Sequence, residues 1–303
     1  MVAFLNSLPG AVAQGIIWGI MAIGVYVTFK ILDMADLSVD GSFATGGAVL
    51  VTCVTGGMNV WVAVLAATLA GCLAGLVTGI FHTKFGIPAI LAGILTQLGL
   101  YSINLRILGG QANKTVSASN YKLMLTLRNI PGAIIVAAIV TLILIIVCYF
   151  FFGTEIGESL RATGANQHMA RANGINTDFT KVLGLVISNG IVAFSGAVLA
   201  QYQGFADVNM GRGAIVIGLA AVIIGEVIFG KIFKNFALRL LAAVFGGIIY
   251  YVVLTLVLRM GLNANDLKLF SALVVAIFLG VPFWKNKISQ KLPARKNEDS
   301  TEQ

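Results

Sequence analysis

Long apolar runs follow one another along the chain with short polar breaks between them, at about 11–32, 41–56, 59–82, 87–109, 131–153, 180–203, 213–230, 236–258 and 267–284. A run of about 18 or more apolar residues in hydrocarbon has to be helical, because every backbone N–H and C=O must be satisfied within the segment. The pattern predicts an all-α, polytopic membrane protein with about nine transmembrane segments. The second and seventh runs are shorter and glycine-rich, and they read as broken helices. They also echo one another. "ADLSVDGSFATGGAV" (35–49) and "ADVNMGRGAIVIGLAAV" (206–222) each carry Ala-Asp-aliphatic, a polar pair, a glycine-rich turn and a short apolar segment.

If all nine runs cross and the C-terminal tail is cytoplasmic, the segment 154–179 lies inside and the N-terminus outside. Thirteen of the twenty Lys and Arg then fall inside and seven outside, a bias in the direction of the positive-inside rule. Four of the seven sit in one polar external loop, 106–130. With this topology the two echoes enter from opposite sides, so the repeats are inverted, with halves at about 11–109 and 180–284. Short, glycine-interrupted helices at corresponding places in two inverted halves point to a transport pathway at the repeat interface. Residues 1–285 are read as one transmembrane domain, and 286–303 as a basic, disordered cytoplasmic tail. The opening "MVAFLNSLPGAVAQG" has neither Lys or Arg nor a small-residue cleavage site, so the first apolar run is expected to be retained.

Composition sharpens this picture. Of 303 residues, 58% are hydrophobic and 11% charged, far from a soluble domain, and mean hydropathy is +0.94. The formal charge of +8 is accounted for by basic residues at segment ends and in the tail, so nucleic-acid binding is not expected. Glycines at 15 and 19, and at 71, 75 and 79, have the spacing that lets membrane helices approach closely. Cys53, Cys72 and Cys148 stand singly in apolar runs, and His82 and His168 form no pair, so no metal site, disulfide framework or catalytic constellation is expected, and no cofactor. "GEVIFGKI" (225–232) fits most of a phosphate-binding loop but has Ile232 where the magnesium-ligating hydroxyl belongs, and it ends an apolar helix. Any nucleotide would have to be bound by a partner.

The candidates for chemistry are therefore few. Asp36, Ser38, Asp40, Ser42, Asp207, Asn209 and Arg212 are the polar groups at the broken elements, where half-helix N-termini near Gly41 and Gly211 could face an anionic group. Asp36 and Asp207 could instead cap the short helices. Glu226 is the one acid well inside an apolar run, and it leaves open an ion-coupled transporter or channel working alone. Finally, "GESLRATGANQHMARANGINTD" (157–178) reads as a helical hairpin. A first helix carries Glu158 and Arg161, three apart and able to pair, and ends near Gly164; a second runs from about Gln167 to Ala172 and stops at Gly174; Thr177 or Asp178 caps the long helix that follows. Its surface, carrying Met169 and Arg171, suits docking into a groove of another protein.

This hairpin and the segment after it, through "GIVAFSGAVLAQYQGFADVNMGRGAIVIGLAAVIIGE", resemble the coupling-loop region of permease subunits of ABC importers in the superfamily of branched-chain amino-acid and ribose-type sugar permeases. The shared pattern is Arg-Ala-x-Gly, a small-residue-rich turn, then Gly-Ile-Asn-Thr before the next membrane helix. "ADLSVDGSFATGGAV" resembles the "DLSVG" segment of the sugar permeases, with Asp40 inserted before Gly41. The likeness runs over about 11–285 and is nearest to aromatic-amino-acid-type permeases of Gram-positive bacteria. It implies a plasma-membrane homodimer, set among lipid, that is not itself an enzyme. A separate ATP-binding-cassette ATPase would engage Glu158, Arg161, Ala162, Gly164, Met169, Ala170 and Gly174, and an extracellular binding lipoprotein would deliver a small solute. An amino acid is the expected cargo, with sugars, nucleosides and other nutrients as alternatives.

Overall fold

The computed structural model describes residues 2–117, 121, 123–259, 269–270, 272–273, 275–278 and 280. Helix α1 (Val2–Tyr26) continues into a π-helical turn, Val27–Ile31, and is followed by α2 (Val39–Thr55), α3 (Val60–Thr83), α4 (Ala89–Ile107) and α5 (Ile130–Phe152). Two short helices, α6 (Glu155–Ala165) and α7 (Gln167–Ala172), lead to α8 (Thr177–Gln203), α9 (Ala214–Phe229) and α10 (Phe236–Arg259). A three-residue ribbon interrupts the helical pattern: β1 (Asn113–Thr115) pairs antiparallel with β2 (Phe205–Asp207). Among the described residues six helices are long and apolar enough to cross a membrane, with α2 and α9 shorter. The second and seventh apolar runs thus form the short helices that their pattern predicts. Of the ninth run, residues 267 and 268 and several beyond lie outside the described residues, as does the tail 286–303; of its described residues, Val275 is buried against the core.

The directions of the helices follow from their contacts. The Ser195 hydroxyl donates to the Ile17 carbonyl at 2.7 Å and that of Ser188 to Gly24 at 2.8 Å, so α1 and α8 run antiparallel. Helix α3 lies antiparallel along α8, with Gly71, Gly75 and Gly79 seated on Asn189, Leu185 and Val182, while Gly15 and Gly19 seat α1 on Ile248 and Val244 of α10. Both stripes of small residues thus bring backbones together, as their spacing predicts. Helix α2 runs parallel to α8, and α9 parallel to α1, with Gly218 on Met21 and Val25. Each half lays its short helix and its next long helix on the first helix of the other half. This exchange is what an inverted repeat with a twofold axis between α1 and α8 produces.

The short helices start halfway. Ser38 and Ser42 sit level with Asn189 in the middle of α8, so the chain leaves the end of α1, climbs through 32–38, and only then begins α2. Likewise it descends from β2 through 208–213 before α9 begins beside Asp40. Each broken element completes its passage with non-helical backbone, an open stretch at 32–38 and a series of tight turns at 208–213, which hydrocarbon tolerates only where protein surrounds it.

Candidate functional site

Two places gather polar groups: the junction of the half-helices, and the root of the hairpin. At the junction, α2 and α9 point away from one another with their N-termini together. The Asp40 carboxylate, in the first turn of α2, accepts from the backbone N–H of Gly213 and of Ile215, both at 2.9 Å, at the start of α9. Each helix N-terminus carries roughly half a positive charge, so two come to about one, the charge of a single carboxylate. Gly211 makes the approach possible, because a Cβ there would overlap the Asp40 carbonyl oxygen.

Behind this contact lies a sealed polar cluster. Asp36 accepts from the Ser38 N–H at 2.9 Å and from the Ser38 hydroxyl, and its other oxygen accepts from Asn189 Nδ2 at 2.8 Å. Ser42 donates to Asn189 Oδ1, and Asn189 Nδ2 also reaches the Leu185 carbonyl at 3.0 Å. All four side chains are buried. Satisfied on every side, the cluster ties α2 to α8. Asp36 thus serves the turn into α2, as a cap would. Asp207 does not cap α9: its carboxylate accepts from the Asn209 N–H at 2.6 Å in a local turn after β2, and the cap of α9 comes from Asp40 in the other half.

Beside the junction opens a cavity of about 390 Å³, bounded by Asp40, Gly41, Gln97, Leu98, Tyr101, Asn104, Val208 and Arg212. Of the residues expected on a pathway, Asp40 and Arg212 line it, Asp207 and Asn209 lie next to it in sequence, and Asp36, Ser38 and Ser42 sit in the sealed cluster. Among the described residues no carboxylate lies within ion-pair distance of Arg212. Asn104 is buried and its Oδ1 has no hydrogen-bond partner among the described residues. The amides and the ring on α4, and Asn189 on α8, were not singled out from the sequence; amides within otherwise apolar runs were the available signal.

Glu226 is elsewhere. It lies in the last turn of α9, half exposed, and pairs with Lys30 at 2.6 Å. It stands at the hairpin end of the bundle and not in its middle, because α9 begins so deep that 16 residues already carry it to that end.

At that end the hairpin forms where expected. Thr154 caps α6, Asn166 caps α7, and Gly174, at φ +80°, ends the turn after it. The cap of α8 is Asn176, which accepts from the N–H groups of Asp178 and Phe179, and not Thr177 or Asp178. Arg171 instead uses those two residues as partners, donating to the Thr177 hydroxyl at 2.7 Å. Gly164 does not end α6, which runs on to Ala165. Its role is contact: a Cβ there would overlap the carbonyl oxygen of Ile31 in the π-helical turn. Arg161 does not pair with Glu158; its guanidinium lies 4.5 Å over the ring of Phe236 on α10. Leu160 and Ala170 are buried, and the Thr163 and Thr180 hydroxyls meet at 2.9 Å. Outward the hairpin shows Glu158, Met169 and Gly174, with Met169 52% exposed, and Ala162 partly covered.

Comparison with known proteins agrees with this architecture. The sequence profile described as branched-chain amino acid transport system, permease component, matches residues 8–282. A tyrosine transport system permease protein of Clostridioides difficile (strain R20291) is 40% identical over 275 residues, 91% of each chain. The ribose import permease protein RbsC of Escherichia coli (strain K12) is 25% identical over 224 residues, 73% of this chain and 69% of that one. Among solved structures, PsaBC from Streptococcus pneumoniae in complex with Fab superposes with a TM-score of 0.53 at 17% identity, covering 93% of this chain and 95% of that one, a likeness of fold alone.

Proposed function

Since the chain belongs to the branched-chain amino acid transport permease family, and is a multi-pass membrane protein of that kind, we propose that it is the membrane subunit of an ATP-driven importer of an aromatic amino acid. The observation that carries the coupling is the seating of the hairpin. Its inner face is fixed to the end of α1 through Gly164 and to α8 through Thr163, while its outer face presents Met169 and Glu158. A separate ATPase subunit that grips the outer face displaces α1 and α8 together, and these are the first helices of the two inverted halves. Such a push acts on the interface where α2 and α9 meet, so the cavity at Asp40 opens toward one side or the other as a rigid-body switch.

The cargo reading rests on the tyrosine transport relative and on the lining of the cavity. Arg212 offers a cation to a carboxylate, Gln97 and Asn104 offer amides to a polar headgroup, and Tyr101 offers a ring face. An external binding protein delivers the solute to the β1–β2 end, opposite the hairpin, and a second copy of the chain completes the translocating unit in the plasma membrane. The chain itself carries out no chemistry on the solute.

The test is uptake of radiolabelled tyrosine into proteoliposomes holding the chain, its ATPase and its binding protein, with ribose as the comparison. ATP-dependent accumulation of tyrosine and not ribose is the expected result. Accumulation of ribose alone overturns the cargo, and accumulation without ATPase overturns the coupling. The substitution Met169→Glu places a charge on the exposed hairpin face, and it is expected to release the ATPase on co-purification while leaving the melting temperature of the permease unchanged.

A further inference from the structure

A second cavity, of about 430 Å³, lies at the root of the hairpin and is bounded by Tyr26, Phe29, Lys30, Ile31, Asp33, Arg161, Gly164, Ala165, Phe236 and Arg239. It gathers residues from four elements: the end of α1 and its π-helical turn, α6, the first turn of α10 and, through the Lys30 pair, the end of α9. Three cations converge on it, Lys30, Arg161 and Arg239. Two acids face them, Glu226, already held by Lys30, and Asp33. One positive charge is left over.

The surroundings fit a particular kind of anion. The span through α1 ends at Ile31 and the span of α10 begins at Phe236, so the cavity sits where hydrocarbon gives way to headgroups. Phe29, Tyr26 and Phe236 give it apolar walls, and Ile232 in the adjoining 230–235 turn is 70% exposed. The Arg161 guanidinium lies 4.5 Å over the Phe236 ring and lines the cavity, and a guanidinium paired with a ring through its face keeps its N–H donors for an anion. A basic pocket between membrane helices, level with their ends, is suited to the headgroup of an anionic lipid. A phosphodiester carries the one negative charge that the pocket lacks, and its acyl chains would lie along the apolar wall.

We propose that this cavity binds the phosphodiester of an anionic phospholipid, such as phosphatidylglycerol, from the leaflet on the hairpin side. The bound lipid joins α6 to α10 and α1, so leaflet composition sets how firmly the hairpin is tied to the bundle. Neither the cargo nor the ATPase enters this reading, so it stands or falls apart from the importer proposal.

The experiment is native mass spectrometry of the purified full chain, delipidated and then exposed to mixed micelles of phosphatidylglycerol and phosphatidylcholine, with inorganic phosphate and glycerol 3-phosphate as separate probes. The wild type is expected to retain phosphatidylglycerol over phosphatidylcholine. The double variant Arg161→Gln/Arg239→Gln is expected to retain roughly thirtyfold less, as loss of two cations at a headgroup predicts. Arg106→Gln, which removes a charge at the opposite end, keeps wild-type retention. If the double variant does not fold, each single variant serves, with a smaller loss of the same sign. Equal retention of the two lipids, or undiminished retention in the variants, overturns the proposal. Displacement of the lipid by millimolar inorganic phosphate assigns the cavity to a free anion and overturns the lipid source. Release of the co-purifying ATPase by the double variant, with no lipid preference in the wild type, assigns the two arginines to a protein interface and overturns it as well.

Discussion

Asp40 holds together two helix ends that would otherwise repel one another, since its carboxylate takes the Gly213 and Ile215 N–H groups while belonging to the first turn of α2. Replacing it by Ala leaves both donors without an acceptor and two positive ends in contact, which is expected to cost about 1–3 kcal/mol and to show as a lower melting temperature in detergent together with lost uptake. Unchanged melting would mean that water serves the donors as well. Asp33 makes a different claim. Its φ of 53° places it in the left-handed region, where the chain turns back after the π-helical turn. Asp33→Gly is expected to be tolerated and Asp33→Val to cost about 1–2 kcal/mol, a difference that thermal unfolding of the two variants reads directly.

Among the elements, the hairpin is the one whose boundaries the sequence discloses best, because its signals are local. Small residues, a cap at each start and a glycine at φ +80° mark α6 and α7 within a residue or two of where they form. What the sequence does not disclose is which face each residue turns to whom. Gly164 reads as a helix stop and is a seat against Ile31; Arg161 reads as a partner for Glu158 and lies on Phe236; Glu226 reads as buried and pairs with Lys30. In each case the partner lies far away along the chain, and only the exchange of helices between halves brings it near. Asn189 was missed for the same reason, since its partners are in the other half. The seat is testable: Gly164→Ala forces α6 off the π-helical turn at a cost of about 1–3 kcal/mol, and is expected to speed protease clipping within 154–176 while the long helices resist.

For the whole molecule, the paired broken passages keep the parity of the chain as if both were full crossings, so the start of α1 and the hairpin lie at opposite ends of the bundle, and the importer reading expects them on opposite sides of the membrane. In a cysteine-free background, Lys114→Cys in the ribbon is expected to react with an impermeant maleimide in intact cells. His168→Cys on the hairpin is expected to react only after permeabilisation. The reverse pattern would invert the importer reading. The exchange of helices between halves also bears on how the protein is made. Asp36 is separated from Asn189 by 153 residues, and at ~5–20 residues per second the ribosome needs roughly eight to thirty seconds to supply that partner. During this interval a carboxyl group and two serines stand without their amide, and α2 and α3, although packed on α4 and on one another, lack the α8 surface that each also covers. The last step of folding is therefore expected to wait for α8, and a chain cut short before that point is expected to be an incomplete bundle and not a smaller transporter.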